Sequence, residues 1–289
     1  KPYSVYTAYK NKWLESLTPE KIQSYNNKKL FKNFKIFSSQ TNTSISQLGF
    51  IHSPQLKVKK SLSRKKIITY DLNRDIPSLD ATTRVSVHLR FGTISVRKCV
   101  QIATQTNQVW LQELIWREFF MQILYHFPHV VNTPFKAKYQ NIKWRNNKKE
   151  FKAWCEGRTG YPIVDAGMRE LNQTGFMHNR VRMITASFLV KDLLIDWRWG
   201  EKYFAQKLID YDQSANNGNW QWVAGTGCDS APYFRIFNPE TQQKKFDPQF
   251  KYVKKWIPEY GTDTYPKKIV DHNMAYHRAL MTIKEGING

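Results

Sequence analysis

The chain has 289 residues, and 45 Lys and Arg against 23 Asp and Glu leave a formal charge of +22, which predicts a polyanionic partner, nucleic acid first, bound through counterion release. With 41% hydrophobic and 15% aromatic residues it can build a sizeable core, so disorder is excluded for most of its length; no apolar run approaches the ~20 residues of a bilayer-spanning helix, so a soluble protein with no membrane partner is expected. Cys99, Cys155 and Cys228 lie far apart without a CxxC pair, which argues against a disulfide framework and a metal site and for a reducing compartment.

Lys1-Pro2-Tyr3 is not a secretory signal, and the chain reads as a piece whose N-terminus lies upstream. Residues 1–66 hold 13 Lys and one Arg against Glu15 and Glu20, more than half the positive excess. This stretch, polar from Ser38 to Ser53 and basic from Lys57 to Lys66, predicts an interdomain connector with one or two short helices; the basic run reads as a solvated face in preference to a DNA contact. From Thr82 onward, apolar residues recur at three and four. Val109, Leu111, Leu114, Ile115, Phe119 and Ile123 form one such set, and Met177, Val181, Ile184, Phe188 and Leu189 another, each predicting a helix with one buried face. Strand-type alternation is nearly absent, and Gly157-Arg-Thr-Gly160 and Gly225-Thr-Gly227 punctuate between helices. An all-α domain is expected over 67–289, with no repeat. GxGxxG, GxxxxGK[ST] and HExxH are missing, and His126 and His129 lack the neighbours a metal would need.

Four segments set polar residues among aromatics. Thr82, Thr83, Arg84, Val85 and Ser86 place three hydroxyls and a guanidinium at a predicted helix start, suited to a phosphate. Glu113, Trp116 and Phe120 share one helical stripe near Trp110, so a carboxylate lies beside a ring able to stack on a base. Asn179, Arg182 and Met183 share a face in His178-Asn-Arg-Val-Arg-Met183. Asp210, Asp212, Asn216, Asn217, Trp220 and Trp222 fall within thirteen residues, and the Asn-Asn-Gly break predicts a loop lining a pocket.

Ala81-Thr-Thr-Arg-Val-Ser86, Glu113-Leu-Ile-Trp-Arg-Glu-Phe119, Thr159-Gly-Tyr-Pro-Ile-Val-Asp165, Met177-His-Asn-Arg-Val-Arg-Met183 and Asn216-Asn-Gly-Asn-Trp-Gln-Trp222 together resemble the FAD-binding domain of DNA photolyases and cryptochromes, in order and spacing. Pro2-Tyr-Ser-Val-Tyr-Thr resembles the connector leaving that family's N-terminal α/β antenna domain, which lies outside this chain, so no antenna chromophore is expected here. The resemblance implies an all-helical domain holding U-shaped FAD, active as FADH⁻, at the bottom of a cavity facing UV-damaged DNA. Tyr70 and Thr82 to Ser86 would hold the diphosphate and ribityl region. Trp110, Glu113, Arg117, Asn179, Arg182, Asp210, Tyr211, Asp212 and Asn216 would surround the cofactor, with Arg182 and Asp210 paired beside the ring and Asn216 at flavin N5.

For the substrate, the resemblance implies that Trp116 and Trp222 flank a flipped-out pyrimidine dimer, Glu113 hydrogen-bonds it, Met183 presses on it, and Arg74, Arg180, Arg235 and Gln242 contact the surrounding DNA. Trp220, Trp197 and Trp144 correspond to the family's electron-hopping chain. The segment from His178 to Met183 is similar to the cyclobutane-dimer type and unlike the (6-4) type. Light-driven electron transfer to the dimer, by a monomer associated with a bacterial nucleoid, is the expectation. A cryptochrome-type photoreceptor and a flavin-free basic DNA-binding module are the alternatives, and Asn219 departs from the family's usual Gly.

Overall fold

The computed structural model describes residues 1–35, 43–51, 58 and 62–288. It is helical, with no strand among the described residues, as the spacing of apolar side chains predicts. Among the described residues, no helix is long and apolar enough to cross a membrane.

Two packed cores organise the chain. The first is built on α7 (Gln108–His126), whose first turn is capped by Asn107 accepting the Trp110 N–H at 3.0 Å. Leu111, Leu114, Ile115, Phe119 and Ile123 are buried along it, as the sequence predicts, and so are Trp110 and Phe120, while Val109 of the predicted set is only half-buried. Against it pack α1 (Tyr6–Ser16), through Tyr6, and α6 (Val96–Thr106), through Cys99, Val100 and Ala103. Between α1 and α6 in the chain come α2 (Pro19–Ile22), α3 (Arg64–Ile68), α4 (Tyr70–Asn73) and α5 (Ser86–Phe91). The polar run Ser38–Ser53 and the basic run Lys57–Lys66 lie partly outside the described residues, while Lys65 and Lys66 sit in α3.

The second core gathers α8 (Lys148–Glu156), α9 (Pro162–Thr174), α10 (Asn179–Ser187), α11 (Trp197–Lys207), α12 (Gln213–Ala224), α13 (Pro239–Phe246) and α14 (Lys251–Trp256). Met177, Val181, Ile184, Phe188 and Leu189 are all buried at its centre. A π-turn over Phe188–Asp192 follows α10, and α15 (His272–Asn288), with Ala275 and Ala279 buried, packs on that turn and, through Ile283, on Tyr139 and Ile142. The motif from Thr159 to Asp165 is scaffold: Asp165 accepts the Thr159 and Gly160 N–H groups, the Thr159 hydroxyl and the Tyr265 phenol. Gly160 adopts φ +77° there, against the backbone of Lys267 and Lys268, where a side chain would have no room.

One expected loop is a helix. Asn216, Asn217 and Gly218 lie inside α12, which Asp212 caps by accepting the Ala215 N–H at 3.0 Å. Tertiary contacts override the turn chemistry of Asn-Asn-Gly. The Asn217 and Gln221 amides both donate to the Val130 carbonyl, and Gly218 lets the Phe120 ring lie against the α12 backbone. The Thr82–Ser86 hydroxyls likewise precede a helix of only six residues, with Val85 at its N-cap and no side-chain cap bond.

Candidate functional site

A cavity of about 460 Å³ opens between the two cores, within the range of small-molecule sites. Its walls come from α4, the 82–86 segment, α5, α7, α10, α11 and α12. The structure brings together there Tyr70, Arg74, Thr82, Thr83, Arg84, Val85, Ser86, Trp110, Glu113, Trp116, Arg117, Asn179, Arg182, Met183, Asp210, Tyr211, Asp212, Asn216, Trp220 and Trp222. Five residues from the sequence reading lie off this wall: Trp144, Arg180, Trp197, Arg235 and Gln242.

On one side an ion pair is locked in place. Arg182 Nη2 reaches both Asp210 oxygens, at 3.2 and 3.0 Å, Arg182 Nε donates to the Met177 carbonyl, and the Ser86 hydroxyl donates to Asp210 at 2.7 Å. The Asp210 side chain is only 4% exposed, so separating this pair would strand a buried charge. Phe176 lies under two guanidinium groups, Arg84 at 4.5 Å and Arg182 at 5.5 Å from its centroid. Arg84 itself has φ +52°, a left-handed conformation that costs a non-glycine residue about 1 kcal/mol.

On α12, Asn216 spends its amide N–H groups on Glu201 of α11, donating to the Glu201 carbonyl at 3.0 Å and to Oε1 at 2.9 Å. Its Oδ1 is therefore the atom left to accept from a group in the cavity. Burial raises the Glu201 carboxyl above its usual range, against the pull of that Asn216 bond.

Across the cavity, Glu113 of α7 accepts from Arg74 Nη1 at 2.6 Å, and Arg74 Nε approaches Asp75 at 3.9 Å. Asp75 in turn accepts from Arg180 at 2.8 Å, and Arg180 covers the Phe246 ring at 4.4 Å. Arg74 and Arg180 thus belong to an alternating chain of charges that starts at the cavity wall with Glu113 and Arg74 and runs beyond it through Asp75 to Arg180, where the resemblance implied DNA contacts. Burial lifts the Glu113 carboxyl above its ordinary range in spite of Arg74. His178, whose Nδ1 accepts the Arg180 N–H, is held neutral, with burial pushing it down to about 4. Trp116 stacks face to face on Tyr6, with centroids 3.5 Å apart and planes 5° apart, and lies 5.5 Å from Phe120. Trp197 is buried, Trp144 half-buried, and Arg235 exposed.

Residues 110–263 match the family described as the FAD binding domain of DNA photolyase. The chain belongs to that family. A deoxyribodipyrimidine photo-lyase of Vibrio cholerae is 45% identical over 78% of this chain and 54% of its own length, and one of Escherichia coli is 40% identical over 99% of this chain and 69% of its own. A class III photolyase structure from Agrobacterium tumefaciens superposes with a TM-score of 0.74 at 42% identity, covering 78% of this chain and 53% of that one. The chain spans between about half and two thirds of the length of these relatives.

A domain of this family binds FAD, and the donor set fits it. Thr82, Thr83 and Arg84 offer hydroxyls and a cation to a diphosphate, and Phe204, Leu208, Ala186 and Val223 offer apolar wall to the rings. The paired Arg182 and Asp210 and the free Oδ1 of Asn216 supply polar anchors for a flavin edge that carries both donors and acceptors.

Several residues packed behind the cavity wall escape sequence reading. Glu201 holds Asn216 from a neighbouring helix, Asp75 links two arginines, and Tyr6 reaches Trp116 from 110 positions away. Helical spacing reports neighbours on one helix and is silent on such cross-helix partners. Phe176, beside the Met177–Met183 segment, could have been flagged by its place before a dense polar motif.

Proposed function

We propose that the cavity holds FAD and takes a pyrimidine dimer flipped out of UV-damaged DNA, and that the protein splits cyclobutane dimers under blue light. The observation carrying this reading is the meeting in one cavity of the Asn216 amide, oriented by Glu201, with Glu113 and two indoles, Trp116 and Trp222. When bound, FAD supplies a light-absorbing ring able to give up one electron and take it back. Thr82, Thr83 and Arg84 would hold the phosphate end, with Tyr70, Val85, Ser86 and Arg117 alongside. Arg182, Asp210, Trp110, Asn179, Tyr211 and Asp212 would fix the ring, and Asn216, its amide N–H groups held by Glu201, would offer Oδ1 as an acceptor to a donor on the ring edge.

Trp116 and Trp222 flank the dimer and Met183 presses on it, excluding water. Glu113, held at the cavity by Arg74, hydrogen-bonds the dimer and tunes the charge that arrives on its carbonyl oxygens. Arg235 and Gln242, with Arg74 and Arg180, face the surrounding DNA strand, which supplies a flipped base to the cavity. Trp220, Trp197 and Trp144 would supply electrons to a photoexcited oxidised flavin. Residues 67–289 form the catalytic domain and 1–66 the connector, and the protein works as a monomer on nucleoid DNA.

The test is blue-light illumination of the protein, loaded with FAD and chemically reduced, with an oligonucleotide carrying one thymine dimer. Light-dependent loss of the dimer is expected. Bound flavin without dimer loss refutes repair and leaves a photoreceptor, and failure to take up FAD refutes the cofactor reading as well.

A further inference from the structure

Trp220 is wedged between the cavity and the second core. Its ring lies against the α11 backbone at Gly200, where even a Cβ would strike it, and against Phe204 at 5.0 Å. The oxidisable ring it touches is Trp154 of α8, with centroids 6.2 Å apart at 71°. Trp154 then touches Tyr203 of α11 at 5.7 Å. Among the described residues, no comparable ring contact joins Trp220 to Trp197 or Trp197 to Trp144.

We propose that Trp220, Trp154 and Tyr203 form a second electron-hopping branch, separate from Trp197 and Trp144, that ends at Tyr203 near the surface. The proposal rests on the flavin reading of the cavity. Trp220 gives one electron to the photoexcited flavin and becomes an indole radical cation; an electron from Trp154 refills it, and one from Tyr203 refills Trp154. Trp154 is fully buried, and its Nε1–H donates to the Thr185 carbonyl at 3.0 Å. A carbonyl cannot take that proton at neutral pH, so the oxidised indole keeps it and remains oxidising enough to pass the hole on.

Tyr203 is placed to end the path. It is half-buried, its hydroxyl donates to Asn172 Oδ1 at 2.6 Å with the Cys155 carbonyl 3.1 Å away, and Asn172 is exposed. On oxidation the phenol loses its proton to water beside Asn172 and leaves a neutral tyrosyl radical, which a soluble thiol restores by donating a hydrogen atom. Burial pushes the phenol up to about 12, so before oxidation the ring is a neutral phenol. Trp199 is not an equivalent exit, because it is reached from Trp154 through Phe151, at 5.1 and 5.9 Å, and a phenyl ring is not oxidised under these conditions.

The experiment is electron paramagnetic resonance of the FAD-loaded protein, frozen during blue illumination with oxidised flavin and no added reductant. A tyrosyl signal is expected in the wild type and in Trp197→Phe, and is lost in Tyr203→Phe and Trp154→Phe. Trp197→Phe retains flavin photoreduction, which disappears when Trp154→Phe is added to it. Tyr203→Phe removes only a hydroxyl, so it decides the matter even if Trp154→Phe does not fold. Complete loss of photoreduction in Trp197→Phe, or a tyrosyl signal that survives in Tyr203→Phe, overturns the branch and leaves the flavin reading intact. A wild type that takes up no FAD overturns both, and one whose bound FAD stays oxidised in light overturns the branch alone.

Discussion

Lys191 is fully buried, and its Nζ donates to the Ala224 carbonyl at 2.8 Å, at the C-terminal end of α12, and to the Tyr233 carbonyl at 3.2 Å. No carboxylate answers its charge among those bonds. Burial therefore pulls the ammonium down to about 7 from the ordinary 10.5. The unfolded chain keeps the proton well above pH 7 while the folded chain gives it up, so this group makes folding more favourable as pH rises from about 7 toward 10.5. Integrated from pH 7 to 8.5, the gain is about 2 kcal/mol. His272, raised by its bond to Asp192, acts in the opposite sense: its stabilisation is full below the unfolded histidine value and fades as pH climbs through the folded one. Lys191→Met isolates the lysine contribution, because every other group titrates alike in both proteins. Urea titrations at pH 7 and 8.5 should show the wild type gaining about 2 kcal/mol on the variant across that interval. Parallel stability curves for the two proteins would refute a depressed lysine.

Four further outcomes follow from the site. Arg182→Leu leaves Asp210 buried without its cation and should cost about 3–5 kcal/mol of stability, read by thermal melting, with loss of retained FAD on desalting. Trp116→Ala should weaken binding of a dimer-containing oligonucleotide by about 1–3 kcal/mol relative to wild type, through lost stacking. Glu113→Ala should lower the quantum yield of repair with a smaller loss of binding; equal binding losses in the two variants would contradict the separate roles. Gly218→Ala drives a methyl group into the Phe120 ring and should destabilise by about 1–3 kcal/mol in urea titration, with a change in the fluorescence of the adjoining Trp116.

How far the sequence reached depends on the kind of contact. Leu114, Ile115, Val181 and Ile184 announce their burial because a helix repeats its core face every three to four residues. The polar wall was legible too, since Glu113, Arg182, Asp210 and Asn216 each sit in a dense polar run that a plain core element would not carry. The α12 start was misread because Asn-Asn-Gly has turn chemistry in isolation. The amides of Asn217 and Gln221 find the Val130 carbonyl across the fold, and that partner is 87 residues from the first and 91 from the second. Glu201 and Tyr6 stayed invisible for the same reason.

The same buried geometry bears on why α12 can serve cofactor, substrate and electron path at once. Asn216, Trp220 and Trp222 leave one helix within seven positions, so a small rotation of α12 would move all three together. The helix is held at its start by Asp212 on the Ala215 N–H, midway by Asn217 and Gln221 on Val130, and at its end by Lys191 on the Ala224 carbonyl. Each fastening is buried or nearly so, and leaving one unmet costs about 1–3 kcal/mol. Loosening the Lys191 end alone should therefore perturb Trp222 and Trp220 before Asn216, which lies two turns nearer the Asp212 cap.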